Sequence, residues 1–242
     1  MANTYFNFKQ FQVLQEHAAM RVTTDACLFG AWIQLHQAKQ VLDVGTGTGL
    51  LSLMLAQRFP EVLLTAVELE LGACIDAARN FSNSRWKERL HLVQNDVRRW
   101  LPEQRFDAIV SNPPFFIRDL PNPGASRKLA RHGQDGLSLE VLLGSVDRLL
   151  HPEGTFHVML PPPVMLELEH AAQPYGFLIR RLCRVQHRAD KPAHLAFAAF
   201  SRDGRQVMAV EQFVLKDADA YSPQAREYLS PFYLYLDDLG SA

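Results

Sequence analysis

Cysteine is scarce in this sequence. Three residues, Cys27, Cys74 and Cys183, serve a chain of 242. They stand far apart and form no Cys-x-x-Cys pair, which argues against a zinc site and a disulfide framework and fits a reducing, cytoplasmic setting. No apolar run approaches the length that crosses a bilayer, so no membrane partner is expected. The opening residues, Met-Ala-Asn-Thr-Tyr-Phe-Asn-Phe-Lys-Gln, lack the charged stretch followed by an apolar one that marks an export signal. His17, His36, His91, His151, His157 and His170 show no ligand spacing, so no metal is expected. Neither sign of charge dominates: the formal net charge is −1, which by itself argues neither for nor against nucleic acid.

What is present is a core-forming composition, 48% hydrophobic and 21% charged, so one ordered domain is expected. A monomer is the expected state. Basic residues gather in two blocks. Arg118, Arg127, Lys128, Arg131 and His132 form one, and Arg180, Arg181, Arg184, His187, Arg188 and Lys191 the other. Such blocks suit a phosphate backbone, with a solvated face as the alternative.

Strand-like runs alternate with helical patterns. Strands are expected over 40–44, 63–68, 90–94, 106–111 and 155–160. Helices are expected over 50–58, 72–82, 136–150 (with Ser138 as its cap) and 163–173. This β-α-β rhythm predicts an α/β fold, a mostly parallel sheet with helices on both faces. After Gly176 come β-rich runs at 177–186, 194–201 and 206–215, the last following an Asp203-Gly204 turn signal. They predict an antiparallel edge. Residues 1–38 and 216–242 are expected to decorate a core of 39–215.

The most informative stretch is Ser111-Asn112-Pro113-Pro114-Phe115-Phe116, at the carboxyl end of an apolar strand. The Asn112 side-chain oxygen can accept one N–H of a planar amino group, and the Pro113 carbonyl another. Pro113 and Pro114 bring no competing donors and stiffen the loop. Phe115 or Phe116 can stack on a flat ring. Upstream, Asp43-Val44-Gly45-Thr46-Gly47-Thr48-Gly49 carries a strand into a glycine-rich turn that exposes backbone N–H groups. Glu68 ends the next strand about 20 residues on, where a carboxylate can accept from a ribose. A dinucleotide site wants glycine at position 50, and the residue is Leu50. Asp43 suits an ammonium better than a phosphate. Both points favour S-adenosylmethionine over NAD. Asn95 and Asp96 end the third strand, where an adenine amino group could donate. In strand order these features read as a methyltransferase acting on an exocyclic or amide nitrogen.

At this level of detail the chain resembles the bacterial tRNA1(Val) (adenine-37-N6)-methyltransferase family. The resemblance covers nearly the whole length. It includes Phe6-Asn7-Phe8-Lys9-Gln10-Phe11, Ala19–Asp25 with Leu28 and Gly30-Ala31-Trp32, the catalytic core of Asp43–Gly49, Val67-Glu68 and Asn112–Phe116, and the tail Tyr221-Ser222 with Pro231–Leu236. One departure is Phe115, where relatives often carry Tyr; stacking survives and a hydroxyl is lost. The resemblance implies a Rossmann-like methyltransferase fold with a mostly parallel seven-stranded sheet. It implies S-adenosylmethionine held by Thr24, Asp25, Asp43, Gly45, Thr46, Gly47, Gly49, Glu68, Leu69, Asn95, Asp96, Val97 and Asn112. It also implies an anticodon stem-loop as partner, met by Arg118, Arg127, Lys128, Arg131, Arg184, Arg188 and Lys191. Residues 19–25 are expected to fold over the methionine end of the cofactor. Asn112, Pro113, Pro114 and Phe115 are the expected catalytic set.

The adenine N6 lone pair is delocalised into its ring and is a poor nucleophile. Two acceptors on its hydrogens pull the nitrogen toward tetrahedral geometry and stabilise the positive charge that develops, an electrostatic effect of preorganised dipoles. A base in an anticodon loop must be extruded first, which is cheap in a single strand. Three other readings remain. The Asn-Pro-Pro core is shared with DNA and other RNA methyltransferases, so another RNA or DNA adenine could be the target. A protein-glutamine methyltransferase could use the same acceptors, although residues 1–38 are few for the helical domain its relatives carry. A non-catalytic nucleic-acid module would not need Asn112, Asp43 and Glu68 intact.

Overall fold

The computed structural model describes residues 3–113, 137–203 and 209–236. Strands β1 (Tyr5–Asn7) and β2 (Gln12–Leu14) form a small antiparallel hairpin, followed by helix α1 (Thr24–Trp32). The alternating core then runs β3 (Gln40–Val44), α2 (Leu50–Arg58), β4 (Leu63–Glu68), α3 (Leu71–Asn83), β5 (Leu90–Gln94) and β6 (Phe106–Ser111). It continues as α4 (Leu139–Leu149), β7 (Leu150–Leu160) and α5 (Pro162–Ala172). The chain closes with β8 (Leu178–Arg188), β9 (Ala193–Ser201), β10 (Ala209–Asp217), β11 (Ala220–Tyr221) and α6 (Pro223–Leu229).

The main sheet has the order β11-β10-β8-β9-β7-β6-β3-β4-β5. The five consecutive strands β7, β6, β3, β4 and β5 are parallel, with β5 at the edge, and β9 lies antiparallel between β7 and β8. The sheet has nine strands where the resemblance implies seven: the eight runs expected from the sequence, β10 among them, and the short β11. The edge is antiparallel at β9 and between β10 and β11, but β10 pairs with β8 in parallel. The chain does reverse after β9. Both flanks of β9 are already taken by β7 and β8, so the returning strand finds its free hydrogen-bonding groups one position further out. Strand β7 starts at Leu150, earlier than the apolar run at 155–160 suggests, because Leu150 still pairs with Phe106.

Helices cover both faces. Phe29, Met54, Phe81 and Leu229, from α1, α2, α3 and α6, join one buried cluster with Val41, Leu64 and Val110. Leu143, Val146 and Leu168 of α4 and α5 join the other with Leu42, Val67 and Ile109. Strands β3 and β6 are thus buried on both sides, which is why they read as nearly unbroken apolar runs, whereas the edge strand β5 is only partly covered. Ser138 caps α4 as expected, its hydroxyl accepting the Val141 N–H at 3.3 Å. The N-terminal hairpin and the C-terminal tail meet: Phe8 pairs with Tyr233, and the Lys9 N–H donates to the Phe232 carbonyl at 2.7 Å.

Candidate active site

The carboxyl ends of β3, β4, β5 and β6 lie side by side. Val44 is level with Val67 and Ser111, and Glu68 with Gln94. Residues just past these ends therefore share one rim, the place where open α/β sheets bind ligands. Asp43, the Gly45–Gly49 turn, Glu68, Leu69, Asn95, Asp96, Val97, Asn112 and Pro113 all fall on it.

The glycine turn owes its shape to positive φ at three positions: 69° at Gly45, 57° at Gly47 and 83° at Gly49. A Cβ at Gly45 or Gly47 would meet nothing within 4 Å, so these two glycines face open space. A Cβ at Gly49 would come within 2.4 Å of the Phe81 ring, so that glycine instead permits close helix packing. The open side of the turn is a cradle with room for a ligand.

Asp43 is fully buried beneath the turn. Its Oδ2 accepts from the Thr46 hydroxyl at 2.6 Å and the Ser52 hydroxyl at 2.8 Å, while Oδ1 has no partner among the described residues. Burial pushes its carboxyl from 3.8 up to about 6, against the pull of the two hydroxyls. A buried carboxylate oxygen without a donor fits an incoming ammonium. Glu68 reaches back from β4: Oε2 accepts the Gly47 N–H at 2.9 Å, and Oε1 accepts the N–H groups of Leu69 and Glu70 at 2.8 and 2.9 Å. A carboxylate has about four lone-pair sites, so ribose hydroxyls can still be received. Leu69 is 55% exposed beside it. The Asn95 N–H donates to the Glu68 carbonyl at 2.9 Å, which holds the β5 end against the β4 end. Val97 is buried there. The Asp96 carboxylate is engaged by Arg98 at 2.6–2.8 Å, and that pairing holds its pKa below the ordinary carboxylate range.

On the same rim, Ser111 anchors the end of β6 by donating its hydroxyl to the Val44 carbonyl at 2.9 Å. The next residue, Asn112, carries a buried Oδ1 with no hydrogen-bond partner among the described residues. Pro113 is buried beside it. An orphaned buried acceptor costs stability unless something donates to it. An acceptor in this position at the strand end could receive an N–H from a bound molecule.

Thr24 and Asp25 open α1, with Thr24 Oγ1 3.4 Å from the Tyr221 hydroxyl and Asp25 Oδ1 3.2 Å from Nε2 of His194, at the start of β9. Among the described residues neither hydrogen-bonds to the glycine turn. Pro114, Phe115, Phe116, Arg118, Arg127, Lys128 and Arg131 lie outside the described residues. Arg184 and Arg188 are exposed on β8, and Lys191 is exposed in the β8–β9 turn. Arg188 and Lys191 both face Asp190, at 3.4 and 3.8 Å. Since β8 runs parallel to β10 and antiparallel to β9, and Ala196 pairs with Leu160, this turn stands on the same rim of the sheet as Asn112.

Sequence reasoning missed Ser52 and Ser111, which orient the site, and Asp76 and Asn80 on α3. The signal for the last two was available: polar residues four apart, interrupting the apolar stripe of an amphipathic helix.

Residues 19–140 match the family model described as the methyltransferase small domain. The chain is 44% identical over 234 residues to a Phocaeicola vulgatus protein named tRNA1(Val) (adenine(37)-N6)-methyltransferase, covering 97% of this chain and 99% of that one. A Tolumonas auensis protein of the same name is 38% identical over 236 residues, covering 97% and 98%. The chain belongs to this methyltransferase family. The family's fold extends to solved structures. A predicted O-methyltransferase from Agrobacterium tumefaciens superposes with a TM-score of 0.67 at 16% identity, covering 87% of this chain and 98% of that one. A glycopeptide N-methyltransferase solved with S-adenosyl-L-methionine gives 0.56 at 13% identity, covering 77% and 96%. These two share the sheet and its helical layers with the family.

Among the described residues no helix is long and apolar enough to cross a membrane, and no group of three or more His, Cys, Asp or Glu residues could hold a metal.

Proposed function

We propose that this chain methylates the N6 amino group of the adenine at position 37 in the anticodon loop of tRNA1(Val), with S-adenosylmethionine as donor. The observation that carries the reading is the buried Asn112 Oδ1 at the end of β6, without a partner among the described residues, in a chain of this family. S-adenosylmethionine supplies an electrophilic methyl group on a sulfonium. Asp43 Oδ1 holds the ammonium of that molecule, Gly45 and Gly47 leave room for it, and Glu68 accepts its ribose hydroxyls. Leu69 and Val97 border the adenine, with Asn95 and Asp96 at its amino edge.

On the substrate side, Asn112 Oδ1 and the Pro113 carbonyl accept the two amino hydrogens. The nitrogen lone pair is thereby freed from the ring and aimed for attack. The N–C bond forms as the C–S bond breaks, and one amino proton leaves to water, since the methylated ammonium is acidic. Alignment of the reacting atoms contributes through effective molarity. Pro114 and Phe115 complete the base pocket in this reading. Arg184, Arg188 and Lys191 meet the phosphate backbone beside it, together with Arg118, Arg127, Lys128 and Arg131.

The chain acts as one domain: the N-terminal hairpin and the C-terminal tail pack on each other and on the core. It works as a monomer in the cytoplasm, a reducing setting suited to its three buried free cysteines. Transfer of labelled methyl from S-adenosylmethionine into total tRNA, followed by nucleoside analysis, tests the proposal. Label in N6-methyladenosine at position 37 supports it. Label in a glutamine side chain of a protein substrate, with none in tRNA, sinks it in favour of the amide reading.

A further inference from the structure

Helix α3 turns two polar side chains toward the core, Asp76 and Asn80, one helical turn apart and both buried. Neither belongs to the cofactor or substrate contacts above. Asp76 Oδ2 accepts the N–H groups of His17 and Ala18 at 2.8 and 2.9 Å, and its Oδ1 lies 2.9 Å from His17 Nδ1. Asn80 Oδ1 accepts the Leu14 N–H at 2.7 Å. Its Nδ2 donates to the Leu14 carbonyl at 2.9 Å and to the Thr48 carbonyl at 2.8 Å. Thr48 stands between Gly47 and Gly49 in the cradle turn. Further along, Gln15 Oε1 accepts the Val22 N–H at 2.9 Å and folds segment 14–22 back on itself. One buried amide therefore holds the N-terminal segment and the glycine turn at once, and Phe81, the next residue on α3, packs against Gly49.

We propose that Asn80 is a positioning residue of the cofactor site, locking segment 14–22 to the glycine turn so that the segment forms a fixed wall beside the cradle. The inference rests on the cofactor reading above and deepens it. The physical reason is accounting of backbone groups. Without the Asn80 amide, the Leu14 N–H, the Leu14 carbonyl and the Thr48 carbonyl lose their partner while still enclosed. The cheapest relief is for the segment to lift away and admit water. The turn then loses its fixed shape, and a ligand must order it again on binding.

The test compares wild type with Asn80→Ala and Gly72→Ala, the second acting on the segment without touching Asn80. A Cβ at position 72 would lie 3.0 Å from the His17 carbonyl oxygen, on the segment side of α3, and 3.0 Å from Oε1 of Glu70, the end of a flexible side chain that caps the helix. Binding of S-adenosylhomocysteine is measured by calorimetry, turnover with tRNA by label transfer, and exposure of the segment by tryptic cleavage after Arg21. Asn80→Ala is expected to weaken S-adenosylhomocysteine binding and raise the donor KM by about tenfold or more. Turnover at saturating donor should stay within about twofold, since binding rather than the chemical step is affected. Cleavage after Arg21 should speed up, and added S-adenosylhomocysteine should slow it again. Gly72→Ala should move the same three readouts in the same direction. Unchanged affinity and unchanged cleavage in a folded Asn80→Ala protein overturn the inference. If that variant does not fold, unchanged affinity in Gly72→Ala overturns it. Wild type failing to bind S-adenosylhomocysteine overturns the cofactor reading itself, and this inference with it.

Discussion

Glu68 and Gly47 belong to neighbouring strand ends, yet the Glu68 carboxylate closes the glycine turn by accepting the Gly47 N–H at 2.9 Å. Two further N–H groups, from Leu69 and Glu70, fix its other oxygen. The acid is thus oriented before any ligand arrives. Such preorganisation spares the ordering cost on binding.

The first prediction separates the three turn glycines. All have positive φ, so alanine at any of them costs about 1 kcal/mol in backbone strain. Gly49→Ala adds a collision with the Phe81 ring and should lower Tm the most. Gly45→Ala and Gly47→Ala project a methyl into open space and should abolish donor binding with a small Tm loss. Melting curves with and without S-adenosylmethionine decide this; equal Tm losses at all three positions would contradict the packing assigned to Gly49.

A second prediction concerns Asn112. Asn112→Ala should cut kcat by roughly 100-fold or more, the scale of losing one preorganised group. Donor affinity should hold, and the fold should not weaken, because the lost Oδ1 is a buried acceptor without a partner among the described residues. Near-normal turnover would refute the assignment.

The third follows from Asp43. Burial raises its carboxyl from 3.8 to about 6, so the folded protein holds that proton more tightly than the unfolded chain. Ligand-free stability from this group is therefore lost as pH rises from 3.8 through about 6. Donor binding needs the carboxylate and should strengthen up to tenfold per pH unit toward that value, then level off. Asp43→Asn should bind weakly at all pH values, with the slope gone. A wild-type affinity that is flat between pH 5 and 7 would be incompatible with this role.

His157 predicts the opposite slope. It is enclosed on β7, 6.4 Å from the Trp32 ring, and burial lowers its pKa from 6.5 to about 3. The unfolded chain takes up a proton below 6.5 while the folded one refuses it. Stability should therefore fall with acidification, by about 1.4 kcal/mol per pH unit from this group. Denaturant titrations of wild type and His157→Gln should diverge in this sense below 6.5; parallel curves would refute it.

The last prediction addresses the basic residues. Arg188 and Lys191 share one exposed partner, Asp190, and surface pairs of this kind hold weakly. Each residue that meets phosphate should contribute about 0.7 to 0.9 to the slope of log K against log salt for tRNA. Alanine at Arg184, Arg188 and Lys191 should flatten that slope and leave donor affinity intact. An unchanged slope would make them a solvated face.

Much of this architecture was legible in the chain. The strands β3 and β6 are largely apolar runs, and the β-α-β rhythm of the chain implied the parallel sheet they join. The glycine turn, Glu68 and Asn112 announce themselves because backbone conformation and strand ends constrain residue type locally. Other features depend on partners distant in sequence. Nothing near Asp203 says that β10 must pass β9 and pair with β8; the occupancy of both flanks of β9 decides that. Asp76 and Asn80 are only polar interruptions of a stripe until residues 14–18 and Thr48 are brought against them. Thr24 and Asp25 look like site residues by position, and their hydrogen bonds are with Tyr221 and His194, nearly 200 and 170 residues away. Local chemistry is written in short stretches of sequence. Which buried polar group meets which backbone is settled only when the packed chain brings them within hydrogen-bonding distance.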